Sequence, residues 1–69
     1  MKESELKLGL KVKSNREFAL VPKGTEGTIV SLGDTTTPDA IAVHWNRHPD
    51  DKLVDWFNKR DELQYLNVV

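Results

Sequence analysis

The chain has no cysteine, and none of its apolar runs approaches the roughly 20 residues that cross a bilayer. Among its 69 residues it carries only three prolines and four glycines, with two tryptophans, one tyrosine and two phenylalanines. Without cysteine there is neither a disulfide framework nor a thiolate zinc site, so apolar packing and backbone pairing must hold the fold, and the zero count fits a reducing compartment. The N-terminus MKESELKL lacks the apolar centre of a secretory signal, which points to a cytoplasmic protein with no membrane partner. Neither sign of charge dominates. The formal net charge is -1, with six Lys/Arg against four Glu in residues 1–33 and four against seven Asp/Glu in residues 34–69. That balance argues against a dedicated phosphate-backbone binder. A chain this short buries only about 60% of its unfolded surface, which leaves room for one domain and no cleft between lobes.

What is present is punctuation followed by alternation. The stretch Val21 to Val30 sets Pro22, Gly24 and Gly27 just ahead of a β-branched run, and both glycines can adopt the positive φ of a reversal or bulge. Around it the chain reads as a flexible lead-in over residues 1–8 and one domain over 9–69. Leu10 to Lys13 alternates as a first strand, with Leu10 and Val12 on one face and Lys11 and Lys13 on the other. The long loop from Ser14 to Gly27 holds Phe18, Leu20 and Val21 to pack back on the core. A second strand over Thr28 to Leu32 leads through a polar hairpin loop at residues 33–39 to a third, Ala40 to Asn46, with Ile41, Val43 and Trp45 on its buried face.

The turn from Arg47 to Asp51 precedes a fourth strand, Lys52 to Phe57, which sets Leu53, Asp55 and Phe57 against Val54 and Trp56. Pro49, Asp50 and Asp51 also fit a helix opening, with Leu53, Val54 and Phe57 as an i, i+1, i+4 stripe. The β-preference of Trp56 and Phe57 favours the strand. One tight helical turn at Lys59 to Glu62 and a short closing strand through Leu63, Tyr65 and Asn67 complete the chain. The fold class is all-β: a single small barrel of about five antiparallel strands with one short helical turn near the C-terminus.

This order of signals resembles the SH3-like small barrels over Gly9 to Leu66. Within them, GLKVKS, PKGTEGTIVSL, AIAVHW and a late DEL are similar to electron-transport accessory proteins, among them a small accessory protein of photosystem I and the variable chain of ferredoxin-thioredoxin reductase. The glycine-led strand is also similar to KOW-type modules. The resemblance implies a barrel that holds a protein or nucleic-acid partner on its loops and performs no chemistry itself.

The candidate residues follow from exposure and charge. His44 and His48, four apart with Asp50 and Asp51 behind, lack the further ligands of a tetrahedral site, so no metal and no cofactor is expected. No activated nucleophile or phosphate-cradling loop is present, and the chain reads as a non-enzyme. Trp45, Trp56, Phe57 and Tyr65 are candidates for an aromatic cage around a methylated cation, against which Trp45 and Phe57 read as core. Trp56, on the face opposite Phe57, is the exposed anchor. The expected function is a non-catalytic, monomeric interaction module that contacts a protein partner through Arg16, Lys23, Arg47 and Trp56. The alternative is a KOW-like or Tudor-like contact with nucleic acid or the ribosome through Lys11, Lys13, Arg16 and Lys23. Gly27→Val is expected to destabilise by backbone strain, and Lys11→Ala to be nearly silent.

Overall fold

The computed structural model describes residues 1–18, 20–46 and 54–69. Five antiparallel strands form one curled sheet, a half-barrel: β1 (Lys11–Ser14), β2 (Glu26–Ser31), β3 (Ala40–Trp45), β4 (Val54–Asn58) and β5 (Leu66–Val68). Their order across the sheet is β4-β3-β2-β1-β5, which leaves β4 and β5 as the two edges. Helical structure is limited among the described residues to two 3-10 turns, Glu3–Glu5 and Leu63–Tyr65. No helix among the described residues is long and apolar enough to cross a membrane. The curled five-stranded sheet is compatible with an SH3-like barrel.

Alternation along each strand determines which side chains reach the concave face. Val12, Ile29, Ile41, Val43, Trp45, Phe57 and Leu66 are buried there, joined by Val21 from the long loop and Leu63 from the C-terminal turn. Strand β4 is a strand as the aromatic preference indicates, with Phe57 inside and Val54 and Trp56 outside. The part of the expected fourth strand at Lys52 and Leu53 lies outside the described residues, as do Ala19 and the turn from Arg47 to Asp51.

The sheet curls at β2, for a reason different from the one the glycine pair suggests. Gly24 has the left-handed backbone of a reversal, at φ +90°, but Gly27 is not among the positive-φ glycines. Gly27 lies inside β2, opposite Trp45 of β3. A Cβ built there would sit 2.8 Å from Val43 Cγ1, 2.9 Å from the His44 carbonyl oxygen and 2.9 Å from Trp45 Cε3. Gly27 is required for space, because the Trp45 ring packs where its side chain would be. The bulge lies further on, where pairing passes from Ile29↔Val43 to Ser31↔Ala42 and Val30 has no partner. An extra residue on one strand bends it and sharpens its twist.

The C-terminal segment also departs from strict alternation. The helical turn forms at Leu63–Tyr65, after the expected 59–62, and β5 begins only at Leu66. Leu63 and Leu66 are both buried, three apart, the spacing that brings two side chains to one side of a 3-10 turn. Residues 1–8 lie against the domain: the Met1 ammonium donates to the Leu63 and Leu66 carbonyls at 3.1 Å each, and Met1 and Leu6 pack on the core.

Candidate functional site: an aromatic groove along the open edge of β4

The long loop, residues 15–25, is anchored at both ends. At its start, Asn15 Nδ2 donates to the Gln64 carbonyl at 2.6 Å and to Asn67 Oδ1 at 3.1 Å, and its backbone N–H donates to the Tyr65 carbonyl at 2.9 Å. At its end the buried Ser14 hydroxyl donates to the Pro22 carbonyl at 3.0 Å and accepts the Gly24 and Thr25 N–H groups at 3.1 and 3.2 Å. Between these anchors Phe18 and Val21 exchange backbone hydrogen bonds of 2.8 and 3.0 Å, which turn the chain back on itself. Val21 drops into the core and Phe18 joins it partly. Leu20 behaves differently from the expectation that it packs inward: it is 77% exposed and held at φ 68°, a backbone conformation that leucine rarely adopts.

Phe18 links the loop to the sheet through three rings. Its centroid lies 5.5 Å from Phe57, 6.1 Å from Tyr65 and 6.3 Å from Trp45, the first two edge-on. Trp45 in turn meets Phe57 edge-on at 6.1 Å. Such edge-to-face pairs gain from ring quadrupoles beyond the area they bury. Trp45 and Phe57 are therefore core residues, and Phe18 completes the ring cluster in place of Trp56. The buried indole of Trp45 needs an acceptor, and Asp55 Oδ2 supplies it at 2.6 Å. This explains a carboxylate on the inward face of β4, two residues from Phe57.

A groove of about 250 Å³ opens between the loop and β4, lined by Phe18, Asp55, Trp56, Phe57 and Glu62. Each carboxylate has one oxygen committed to the fold: Asp55 Oδ2 to the indole, and Glu62 Oε1 to the Asn58 N–H at 2.7 Å. Their second oxygens accept no hydrogen bond from any described residue. Trp56 stands at the rim, 44% exposed, directly opposite Ala42 of β3. A larger depression of about 720 Å³ lies beside the N-terminal turn, but Lys2, Lys59 and Arg60 face Glu3, Glu5 and Asp61 there, so its charge selects no ligand.

The basic residues have separate surroundings. Lys11 and Lys13 lie on the outer face of β1, where Lys11 Nζ donates to Thr28 Oγ1 at 2.9 Å and Lys13 pairs in register with Glu26. Arg16 turns toward the rings, its guanidinium carbon 4.5 Å from the Tyr65 centroid and 5.7 Å from that of Phe18. Lys23 is exposed in the turn that closes the long loop. Of the expected anchors, Trp56 borders the groove, Arg16 lies on the ring cluster that forms its floor, and Arg47 lies outside the described residues. His44 is half-buried on the outer face of β3 opposite Val54, and His48 lies outside the described residues. Among the described residues no three His, Cys, Asp or Glu side chains gather as a metal site would need.

Asp55 and Glu62 enter the site without having been singled out in the sequence, and Phe18, expected to pack on the core, also lines the groove. Asp55 had a signal: an acid on the same face as Phe57, one strand away from an inward tryptophan. No family model matches this chain, and neither a curated protein nor a solved structure matches it.

Proposed function

We propose that this protein is a non-catalytic interaction module that docks a protein partner along β4 and the long loop. The observation that carries the reading is Trp56, an exposed tryptophan on an edge strand, at the rim of an aromatic groove. Tryptophan is enriched among residues that dominate binding energy, because it buries a large rigid surface at small entropic cost. The leucine displayed at φ 68° supplies a second apolar contact, since a strained, exposed conformation is retained at positions that serve recognition. Arg16 and Lys23 flank that loop as polar rim. The resemblance to electron-transport accessory proteins goes with the same role, a barrel that holds a protein on its loops.

A nucleic-acid role through Lys11, Lys13, Arg16 and Lys23 has less support. Lys13 faces Glu26 across the strand pair, and Arg16 is stacked on Tyr65. The groove itself presents carboxylates, which repel a phosphate backbone.

The reading is tested by capture from native lysate with wild type, Trp56→Ala, Leu20→Ala and Lys13→Ala, alongside titration of labelled RNA and DNA at low salt. The expected result is a protein retained by wild type and Lys13→Ala, lost from the other two, with no nucleic-acid binding. Nucleic-acid binding that persists at physiological salt and ignores Trp56→Ala would overturn it.

A further inference from the structure

The backbone of β4 gives the groove a direction. Antiparallel pairs alternate between residues that exchange hydrogen bonds and residues whose N–H and C=O point away from the partner strand. Asn58, opposite Ala40, is of the second kind: its N–H donates to Glu62 Oε1, its carbonyl accepts the Glu62 N–H at 3.0 Å, and the flanking Lys59 N–H reaches the Asp39 carbonyl at 2.8 Å. By that alternation Phe57 and Asp55 are bonded to β3, while Trp56 and Val54 turn their N–H and C=O groups to the open edge. No described residue bonds those groups. Glu62 closes the edge at Asn58, and beyond it two consecutive outward positions present a strand's pairing pattern.

The same alternation fixes which side chains an added strand would place where. Residues facing the concave side would lie beside Asp55 and Phe57 and enter the groove, against Phe18. Their neighbours would lie on the outer face beside Val54 and Trp56. The inward position meets ring faces and edges together with two carboxylates, each with an oxygen that accepts from no described residue, a combination that attracts a cation. The chain already demonstrates the chemistry on this ring cluster, where the Arg16 guanidinium lies 4.5 Å from Tyr65. The outward position meets an exposed tryptophan and an exposed valine.

The geometry points to β4 as a strand-addition site for an extended, cationic protein segment that alternates lysine or arginine with apolar residues, its cationic heads in the groove and its apolar side chains on Trp56. The inference rests on the docking role proposed above and names the chemistry of the docked segment. Main-chain pairing supplies affinity in this mode, and alternate side chains supply specificity.

Fluorescein-labelled heptapeptides test it by anisotropy: one alternating valine and lysine, one alternating valine and glutamate, and the lysine peptide N-methylated at alternate backbone nitrogens on the pairing edge. The lysine peptide should bind, and the other two should not. Glu62→Gln keeps an oxygen for the Asn58 N–H while removing the charge. It should weaken the lysine peptide by about 10- to 100-fold, the ratio set by loss of one hydrogen bond to a charged group. Equal binding of the glutamate peptide, equal binding of the N-methylated peptide, or no binding of the lysine peptide at ~1 mM would overturn the inference. Lysate capture that depends on Trp56 while the lysine peptide fails would leave the docking role standing and remove the cationic strand alone.

Discussion

Gly27 and Gly24 look equivalent as letters and differ as constraints. Gly24 has open space around its missing side chain and a left-handed backbone, so Gly24→Ala should cost about 1–2 kcal/mol of backbone strain. Gly27 has no left-handed backbone and no space, and its three close neighbours, the buried Val43 side chain, the His44 carbonyl and the buried Trp45 ring, are all held in the sheet and core. Gly27→Ala should destabilise by about 1–3 kcal/mol, and Gly27→Val by more, through forced displacement of β3. Urea unfolding compares both with Lys11→Ala, which should stay within about 0.5 kcal/mol of wild type. Ser14 is the other decisive residue, since its buried hydroxyl bonds three backbone groups of the long loop. Ser14→Ala should cost about 0.5–1.5 kcal/mol, the net loss of hydrogen bonds whose partners stay paired. The Gly24 N–H keeps the Ser14 carbonyl, the Thr25 N–H keeps the Pro22 carbonyl, and that carbonyl keeps the Thr25 hydroxyl. Sequence alone made Gly27 stand out but could not assign its reason, because the crowding comes from strand β3, some 16 to 18 positions further along the chain.

Two loops carry most of the testable consequences among the elements. In the hairpin loop between β2 and β3, Asp34 Oδ1 accepts the Thr36 and Thr37 hydroxyls, both at 2.8 Å, and their N–H groups at 2.9 and 2.6 Å. These bonds, the hydroxyls first, favour the ionised carboxylate and lower its pKa from 3.8 to about 2. A carboxyl whose folded pKa lies below its unfolded one adds stability above pH 3.8 and loses it as pH falls toward 2. Wild type should therefore exceed Asp34→Ala in urea midpoint at pH 6, with the gap closing between pH 4 and pH 2. In the long loop, Leu20→Gly removes the left-handed penalty and should raise stability by about 1 kcal/mol while weakening partner capture. A variant that melts higher and binds worse separates recognition from folding. The loop was legible as a segment that packs on the core. Which of Phe18, Leu20 and Val21 turned outward was not, because that depends on the reciprocal Phe18 and Val21 hydrogen bonds.

At the scale of the whole molecule, the strands were readable from period-two alternation because one face of a small sheet must be buried. The exposed Trp56 followed from the same parity. The C-terminal turn was displaced because Leu63 and Leu66 fit both an alternating strand and a 3-10 turn until packing chooses between them. The groove was illegible as a unit: it joins Phe18 of the loop, Asp55, Trp56 and Phe57 of β4, and Glu62 beyond it, residues that only the curl of the sheet brings together. Among the described residues β4 has one strand neighbour, β3, and its other edge is where we propose that another chain extends the sheet. Residue-resolved amide hydrogen exchange along β4 tests this most directly, with and without the valine–lysine peptide. Asp55 and Phe57 should be protected in the unbound protein while Val54 and Trp56 exchange rapidly, and peptide should slow Val54 and Trp56 alone. Protection of Trp56 before any peptide is added, or no change when it is, would contradict the account.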